Sequence, residues 1–410
     1  MQDEREKVES MKTELIHTPE GVRDIYGREY AEKQQIQKKL QERIELFGYQ
    51  GIQTPTFEFF EVFGKEIGTT PAKDLFKFFD SDGNILCLRP DFTPSMARCA
   101  AKYFSKEDMP LRFTYQGNTF SNTSLLQGKL KETTQMGAEL LGDDSVEADG
   151  EIISMLVDAL LHTGVKDFQV SIGEVNFFKG ICEQLSLSEE EEDALREYIS
   201  NKNFFAAKEY LEARNKSEAV TNTIMQIEDL FGSVEVLSQA GELLDHPLCR
   251  QAIERLTALY QVLCAYGVEK YVSFDLGMLS SYHYYTGIIF KVYTYGIGDV
   301  IVKGGRYDRL LPYFGKDSAA IGFVIVIDDL MQALNRQKIS ISLPVKLITL
   351  VYDQSHFGQA LSMAEILRKE GKPVQLLPFR SEKGRAAYEE YGKKQRSQEV
   401  IFLTKEGDLK

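Results

Sequence analysis

The chain has 410 residues, 43% of them hydrophobic, with five cysteines and a formal net charge of −14. That length exceeds what one hydrophobic core organises and predicts two or three domains. No apolar run reaches the roughly eighteen residues of a membrane span, and the N-terminus MQDEREKVES is charged, so membrane insertion and export are disfavoured and the cytoplasm is the expected compartment.

Cys87, Cys99, Cys182, Cys249 and Cys264 are odd in number, widely spaced and without a C-x-x-C pair, so they read as reduced core thiols. The histidines show no metal-ligand spacing, and no metal site is expected. The acidic balance disfavours a nucleic-acid partner, because affinity for phosphate backbones comes from Lys and Arg. Residues 343–410 run against the trend, with twelve Lys and Arg to nine Asp and Glu, which leaves −17 on the rest.

In chain order, REYAEKQQIQKKLQERIELF (28–47) places Ile36, Leu40, Ile44 and Phe47 at helical spacing, with Gly48 as the stop. YQGIQTPTFEFF then reads as a strand entering Pro55, and ILCL (85–88), LRFTYQ (111–116) and FQVSIG (168–173) as short strands. DGEIISMLVDALLHTG (149–164) is an amphipathic helix ending on Gly164. From about 181 to 268 the pattern turns helical, opened by a capping-box spacing at Ser188 and Glu191, and reads as a helical insertion. Strands resume at YVSFDLG, YYTGIIFKVYTY, DVIVKGG and IGFVIVID, with a hairpin turn at YGIGD. The expected layout is a core over 1–335, a linker over 336–344 and a small α/β unit over 345–410.

P-loop, G-x-G-x-x-G and G-x-S-x-G signatures are all missing. What remains is a polar set on strand-like segments. Arg89, Asp91 and Thr93 follow an apolar run, and period two puts Gln135, Gly137 and Glu139 on one strand face. Asp91 and Glu139 suit a ligand's ammonium or imidazolium, Gln135 a ring nitrogen, and Tyr284 with Tyr285 a wall. The same residues also read as the solvated outer face of half-exposed strands, and composition does not decide between the two.

The segments TPEGVRDIYG, GYQGIQTPTFE, LRPDFTPSMAR, YQGNTF, QMGAELLG, YHYYTGIIF, GGRYDRLL and IGFVIVIDDL follow the order and rough spacing of histidyl-tRNA synthetase over about 17–335. The resemblance implies an α+β fold: a class II synthetase-like antiparallel sheet flanked by helices, self-dimerising through residues 28–60, with 345–410 as a shortened anticodon-binding domain. It further implies a histidine pocket in which Asp91 holds the α-amino group beside Thr93. Gln135 and Glu139 would read the substrate, and Tyr284 and Tyr285 would lie at the imidazole.

The departures fall in the adenylation machinery. Ser121 stands where the second motif has an Arg, Ser280 where the family has a histidine-specific Arg, and Val326, Asp328 and Asp329 where the third motif reads Gly-x-Glu-Arg. Neither Ser nor Asp reproduces a cation placed against developing phosphate charge. Arg98 and Arg112 are the candidate replacements for the Arg missing at Ser280.

A kept amino-acid pocket with lost adenylation resembles the ATP phosphoribosyltransferase regulatory subunit. That resemblance implies no catalysis and no cofactor. The implied partner is the short-form ATP phosphoribosyltransferase catalytic subunit, held in a hetero-oligomer, activated, and inhibited by histidine as allosteric ligand in the first step of histidine biosynthesis. The alternatives are a tRNA-binding synthetase-like sensor and a divergent histidyl-tRNA synthetase.

Overall fold

The first amphipathic segment folds as α1 (Gly27–Glu45), with Ile36, Leu40 and Ile44 fully buried. Gly48, at φ +85°, takes the left-handed turn that ends the segment. The computed structural model describes residues 16–64, 70–106, 108–123, 129–243, 245–279, 284–343 and 347–405. Contacts divide the chain into two units, Met1–Ser340 and Ile341–Lys410.

The strand expected to run into Pro55 is two strands, β1 (Gln50–Gly51) and β2 (Phe57–Phe59). Pro55 has no N–H to give a ladder, and the carbonyls of Thr54 and Pro55 accept instead from the buried Arg89 guanidinium at 3.0 and 3.2 Å. β2 joins β3 (Lys77–Phe79) and β4 (Ile85–Leu88) in a small antiparallel sheet. α2 (Thr93–Tyr103) carries Pro94 in its first turn. Next come β5 (Leu111–Phe120) and β6 (Glu132–Leu141), the core hairpin of a nine-stranded sheet. α3 (Val146–Thr163) starts on a Ser145 cap that accepts from the Ala148 N–H and stops at Gly164, φ +101°.

β7 (Phe168–Glu174) runs without a break into α4 (Val175–Gln184), so the helical stretch begins earlier than the 181 expected. It continues through α5 (Glu189–Ser200), α6 (Phe204–Ala213) and α7 (Glu218–Gln226), then β8 (Phe231–Gly232), α8 (Glu235–Leu243) and α9 (Pro247–Tyr266). The Ser188–Glu191 capping box is present at α5. The remaining strands of the large sheet are β9 (Val272–Asp275), β10 (Ile288–Thr294), β11 (Val302–Arg306) and β12 (Ala320–Val326), with the four-residue α10 (Leu310–Tyr313) before the last. α11 (Ile327–Arg336) follows β12 directly.

Strand order is β1-β5-β6-β12-β11-β10-β7-β9-β8. The sheet is mixed rather than wholly antiparallel: β1 with β5 and β7 with β9 pair parallel. Parallel neighbours need a long crossover, and the helices between β7 and β9 supply it. Along β12, Ile321, Phe323 and Ile325 are buried on one face, while Gly322, Val324 and Val326 line the other. β6 alternates likewise, with Met136, Ala138 and Leu140 in the apolar core and Gln135 and Glu139 opposite.

The C-terminal unit comprises β13 (Ile348–Tyr352), α12 (Phe357–Lys369), β14 (Val374–Pro378), α13 (Gly384–Lys394) and β15 (Glu399–Leu403). Its parallel sheet has β13 in the centre and a core of Ile348, Leu350, Ala364 and Val374. Cys87, Cys182 and Cys249 are buried, as core thiols should be. Cys99 is only half-buried and Cys264 is exposed, so the core reading fails for those two.

Candidate ligand-binding site

A cavity of about 130 Å³ sits on the β6–β12–β11 face, lined by Asp91, Thr93, Gln135, Glu139, Tyr284 and Tyr285 together with Lys303, Gly304, Gly305, Tyr307 and Gly322. All six residues singled out from sequence therefore meet at one place. Register explains how strand residues distant in sequence converge: Glu139 lies opposite Gly322, which lies opposite Gly305, and Gln135 lies opposite Val326.

Glu139 is the centre of the cavity and is 1% exposed, which removes the outer-face reading for it. Its carboxylate accepts from the Tyr307 hydroxyl at 2.6 Å, from Thr93 Oγ1 at 3.2 Å and from the Tyr115 hydroxyl at 3.4 Å. Burial nevertheless pushes Glu139 up to about 8, with nearby Asp91 adding to the rise against those hydrogen bonds. Gly322 makes room for this carboxylate, since a Cβ there would overlap it. Gly137 does the same for the Tyr115 hydroxyl that reaches over it.

Asp91 accepts from the Thr93 N–H at 2.7 Å, an Asx turn that starts α2. Burial raises its carboxyl too. Two carboxyls that each resist ionisation face one cavity, an arrangement a cationic ligand would relieve. Tyr284 and Tyr285 have ring centroids 4.4 Å apart, and Tyr284 meets Tyr307 edge-on at 6.3 Å. Arg89 belongs to the scaffold: it donates to the Asn118 carbonyl at 2.8 Å and lies over the Phe92 ring.

Arg98 and Arg112 do not serve the cavity. Arg98 is held by Glu58 at 2.7 Å and Arg112 by Glu151 at 2.9 Å. Ser280 lies outside the described residues.

A second cavity, about 860 Å³, adjoins the first and shares Lys303 and Val326 with it. Ser121, Val326 and Asp329 all line it. Four cations, Arg23, Lys129, Lys303 and Arg336, line it together with four acids, Glu29, Asp299, Asp328 and Asp329. Lys129 pairs with Asp299 at 3.0 Å, and Arg23 pairs with Glu29. Asp328, expected from sequence at the end of a strand, lies instead with Asp329 in the first turn of α11. Asp328 turns away from solvent to pair with Lys33 of α1 at 2.7 Å and to accept the Thr134 N–H at 2.7 Å. Burial and the neighbouring Asp299 and Asp328 raise Asp329.

Sequence reasoning left Tyr307, Tyr115, Lys303 and Gly322 unassigned. Tyr307 lies in the intact GGRYD segment, and its strand period relative to Lys303 and Gly305 was the available signal.

The histidyl-tRNA synthetase family model matches residues 21–330. An ATP phosphoribosyltransferase regulatory subunit from Acetivibrio thermocellus is 41% identical over 88% of this chain and 86% of its own. One from Thermoanaerobacter pseudethanolicus is 39% identical over 90% and 96%. The crystal structure of an ATP phosphoribosyltransferase regulatory subunit/histidyl-tRNA synthetase from Bacillus halodurans superposes with a TM-score of 0.85 at 32% identity, covering 95% of this chain and 98% of that one. Histidyl-tRNA synthetase from Nostoc shares the fold, with a TM-score of 0.79 at 19% identity over 93% and 89%. Matched over nearly its whole length, the chain belongs to the ATP phosphoribosyltransferase regulatory subunit family, built on the histidyl-tRNA synthetase fold.

Proposed function

We propose that this chain is the non-catalytic regulatory subunit of an ATP phosphoribosyltransferase, that it binds histidine in the cavity around Glu139, and that it carries feedback inhibition to a short-form catalytic subunit in a hetero-oligomer. The observation that carries the reading is the cavity itself. Asp91 and Glu139 face it with their carboxyls raised by burial, beside Gln135 and the paired rings of Tyr284 and Tyr285. A ligand bearing an ammonium and an imidazole answers those groups.

The adjoining cavity supports a non-catalytic role. Adenylation needs cations free to meet the phosphates, and here Ser121 and Asp329 line the cavity while Lys129 is paired with Asp299 and Arg23 with Glu29. Self-association through residues 28–60 is part of the proposal, and the exposed Phe57 and Phe59 suit it.

Inhibition requires histidine to bind the inactive assembly more tightly than the active one. Calorimetric titration of histidine into wild type and Glu139→Gln is the test, paired with co-purification of the short catalytic subunit. Saturable binding lost in Glu139→Gln is expected. Wild type that shows no heat with histidine refutes the sensor, and histidine-dependent ATP–pyrophosphate exchange refutes the loss of catalysis.

A further inference from the structure

A histidine-sized ligand placed between Asp91 and Glu139 satisfies its ammonium and imidazole but leaves a carboxylate in a cavity that already holds two acids. Something cationic must meet it. The arginine position of the synthetases is Ser280, and Arg98 and Arg112 are committed to Glu58 and Glu151. Arg306, on the opposite face of β11, is buried against Asp149 at 2.6 Å.

Among the described residues lining the small cavity, Lys303 is the one cation. It stands on β11 opposite Val324, which lies opposite Gly137, so its level on the sheet is midway between Gln135 and Glu139. It shares its strand face with Gly305 and, beyond the strand end, with Tyr307, which holds Glu139. Lys303 also lines the larger cavity, so it marks the boundary between the two. That boundary is where the carboxylate of an amino acid must face if the larger cavity descends from a site for activating it.

Lys303 makes no ion pair with a described residue. Lys303 is close enough to Asp299 and Asp329 to favour their charged forms, but Asp299 is paired with Lys129, and burial with the neighbouring Asp299 and Asp328 still raises Asp329. Its direct cross-strand partner on β10 is another lysine, Lys291. Like charges placed opposite one another repel, and an anion between them removes the repulsion.

We infer that Lys303 binds the carboxylate of the amino-acid ligand, making the cavity selective for the free α-amino acid over its amide or its amino alcohol. This rests on the amino-acid reading of the cavity given above. With Lys303 in place, the carboxylate is a recognised group and not merely a tolerated one.

The test compares L-histidine with L-histidinol, which keeps the ammonium and imidazole and replaces the carboxylate by a hydroxymethyl group. Affinities are measured by calorimetry on wild type, Lys303→Met and Lys303→Arg, with thermal unfolding as the check on folding. Wild type is expected to prefer histidine by about tenfold or more, the range of one charge-assisted contact. Lys303→Met is expected to erase that preference by weakening histidine alone, while Lys303→Arg retains most of it. If Lys303→Met binds histidine as wild type does, or weakens both ligands equally, the assignment of Lys303 falls while the amino-acid reading stands. If wild type binds neither compound, both fall.

Discussion

Replacing Glu139 by Gln asks whether the fold resists an ionised carboxyl at the centre of the cavity. Glu139 is 1% exposed and titrates at about 8, against an ordinary 4.5. Because the folded value is the higher one, the folded protein binds more protons than the unfolded chain between those two values. Wild type therefore loses stability as pH rises through that window and carries no such penalty below it. Each unit of unmatched titration is worth about 1.4 kcal/mol, and with these values the loss between pH 5.5 and 8.5 comes to about 3 kcal/mol. The amide does not titrate. Urea unfolding of ligand-free wild type and Glu139→Gln at pH 5.5, 7 and 8.5 is therefore expected to show the difference shifting toward the variant by about 3 kcal/mol across the range. Glu174, which burial raises to about 7, is common to both proteins and cancels in the difference. Stability curves that stay parallel with pH would refute a buried, reluctant carboxyl at this position. The same substitution is expected to abolish histidine binding, so a gain in stability and a loss of function should come from one atom change.

Histidine binding at pH 7 is expected to release up to about one proton, since Glu139 is mostly protonated when empty and ionises against a cation; calorimetry in buffers of different ionisation heat reads this directly, and a buffer-independent heat contradicts it. Gly322→Ala is expected to destabilise by about 3 kcal/mol or more and to lose ligand binding, because the added methyl displaces the Glu139 carboxylate from Tyr307. Unchanged unfolding and unchanged titration would show that the strand has slack there. Lys33→Met leaves Asp328 buried without its partner and is expected to cost about 3–5 kcal/mol in urea unfolding, with much of that recovered when Asp328→Asn accompanies it; an effect below about 1 kcal/mol would place the pair with ordinary surface ion pairs.

Local signals carried much of the architecture. α3 has a serine at its start and a glycine at its stop, and both act as their chemistry predicts. Errors arose where chemistry at a boundary was silent. No Gly or Pro separates β7 from α4, because Glu174 ends the strand and caps the helix with the same carboxylate, accepting the Phe177 N–H at 3.0 Å. β5 runs four residues beyond LRFTYQ because its polar end, GNTF, is satisfied by pairing with the start of β6. In the site, period two along β6 made Gln135 and Glu139 legible as one face. Tyr307 was not, since its role depends on a partner 168 residues away in sequence. Lys303 was hidden for the same reason: nothing near it in the chain shows which strand of the sheet it will stand beside. Asp328 and Asp329 are adjacent letters with separate duties, one clamped to α1 and the other facing a cavity, and only the helical turn separates them.

The crossover between β7 and β9 has a thermodynamic consequence for how this protein can change. Val170 pairs with Val272 across about a hundred residues of intervening chain, most of it helical. Closing so long a loop costs entropy that grows only logarithmically, by about 0.6 kcal/mol for each doubling of its length. Extra residues in the loops between the crossover helices therefore add little closure cost, whereas α9 itself is packed into the core through Cys249, Ala252, Leu256, Leu259 and Leu263. The ligand cavity lies on β6, β12 and β11, separated from that crossover by β10. The two are nevertheless linked: Arg255 of α9 shares the buried carboxylate of Asp149 with Arg306 of β11, so the crossover has a direct line to a strand that lines the cavity.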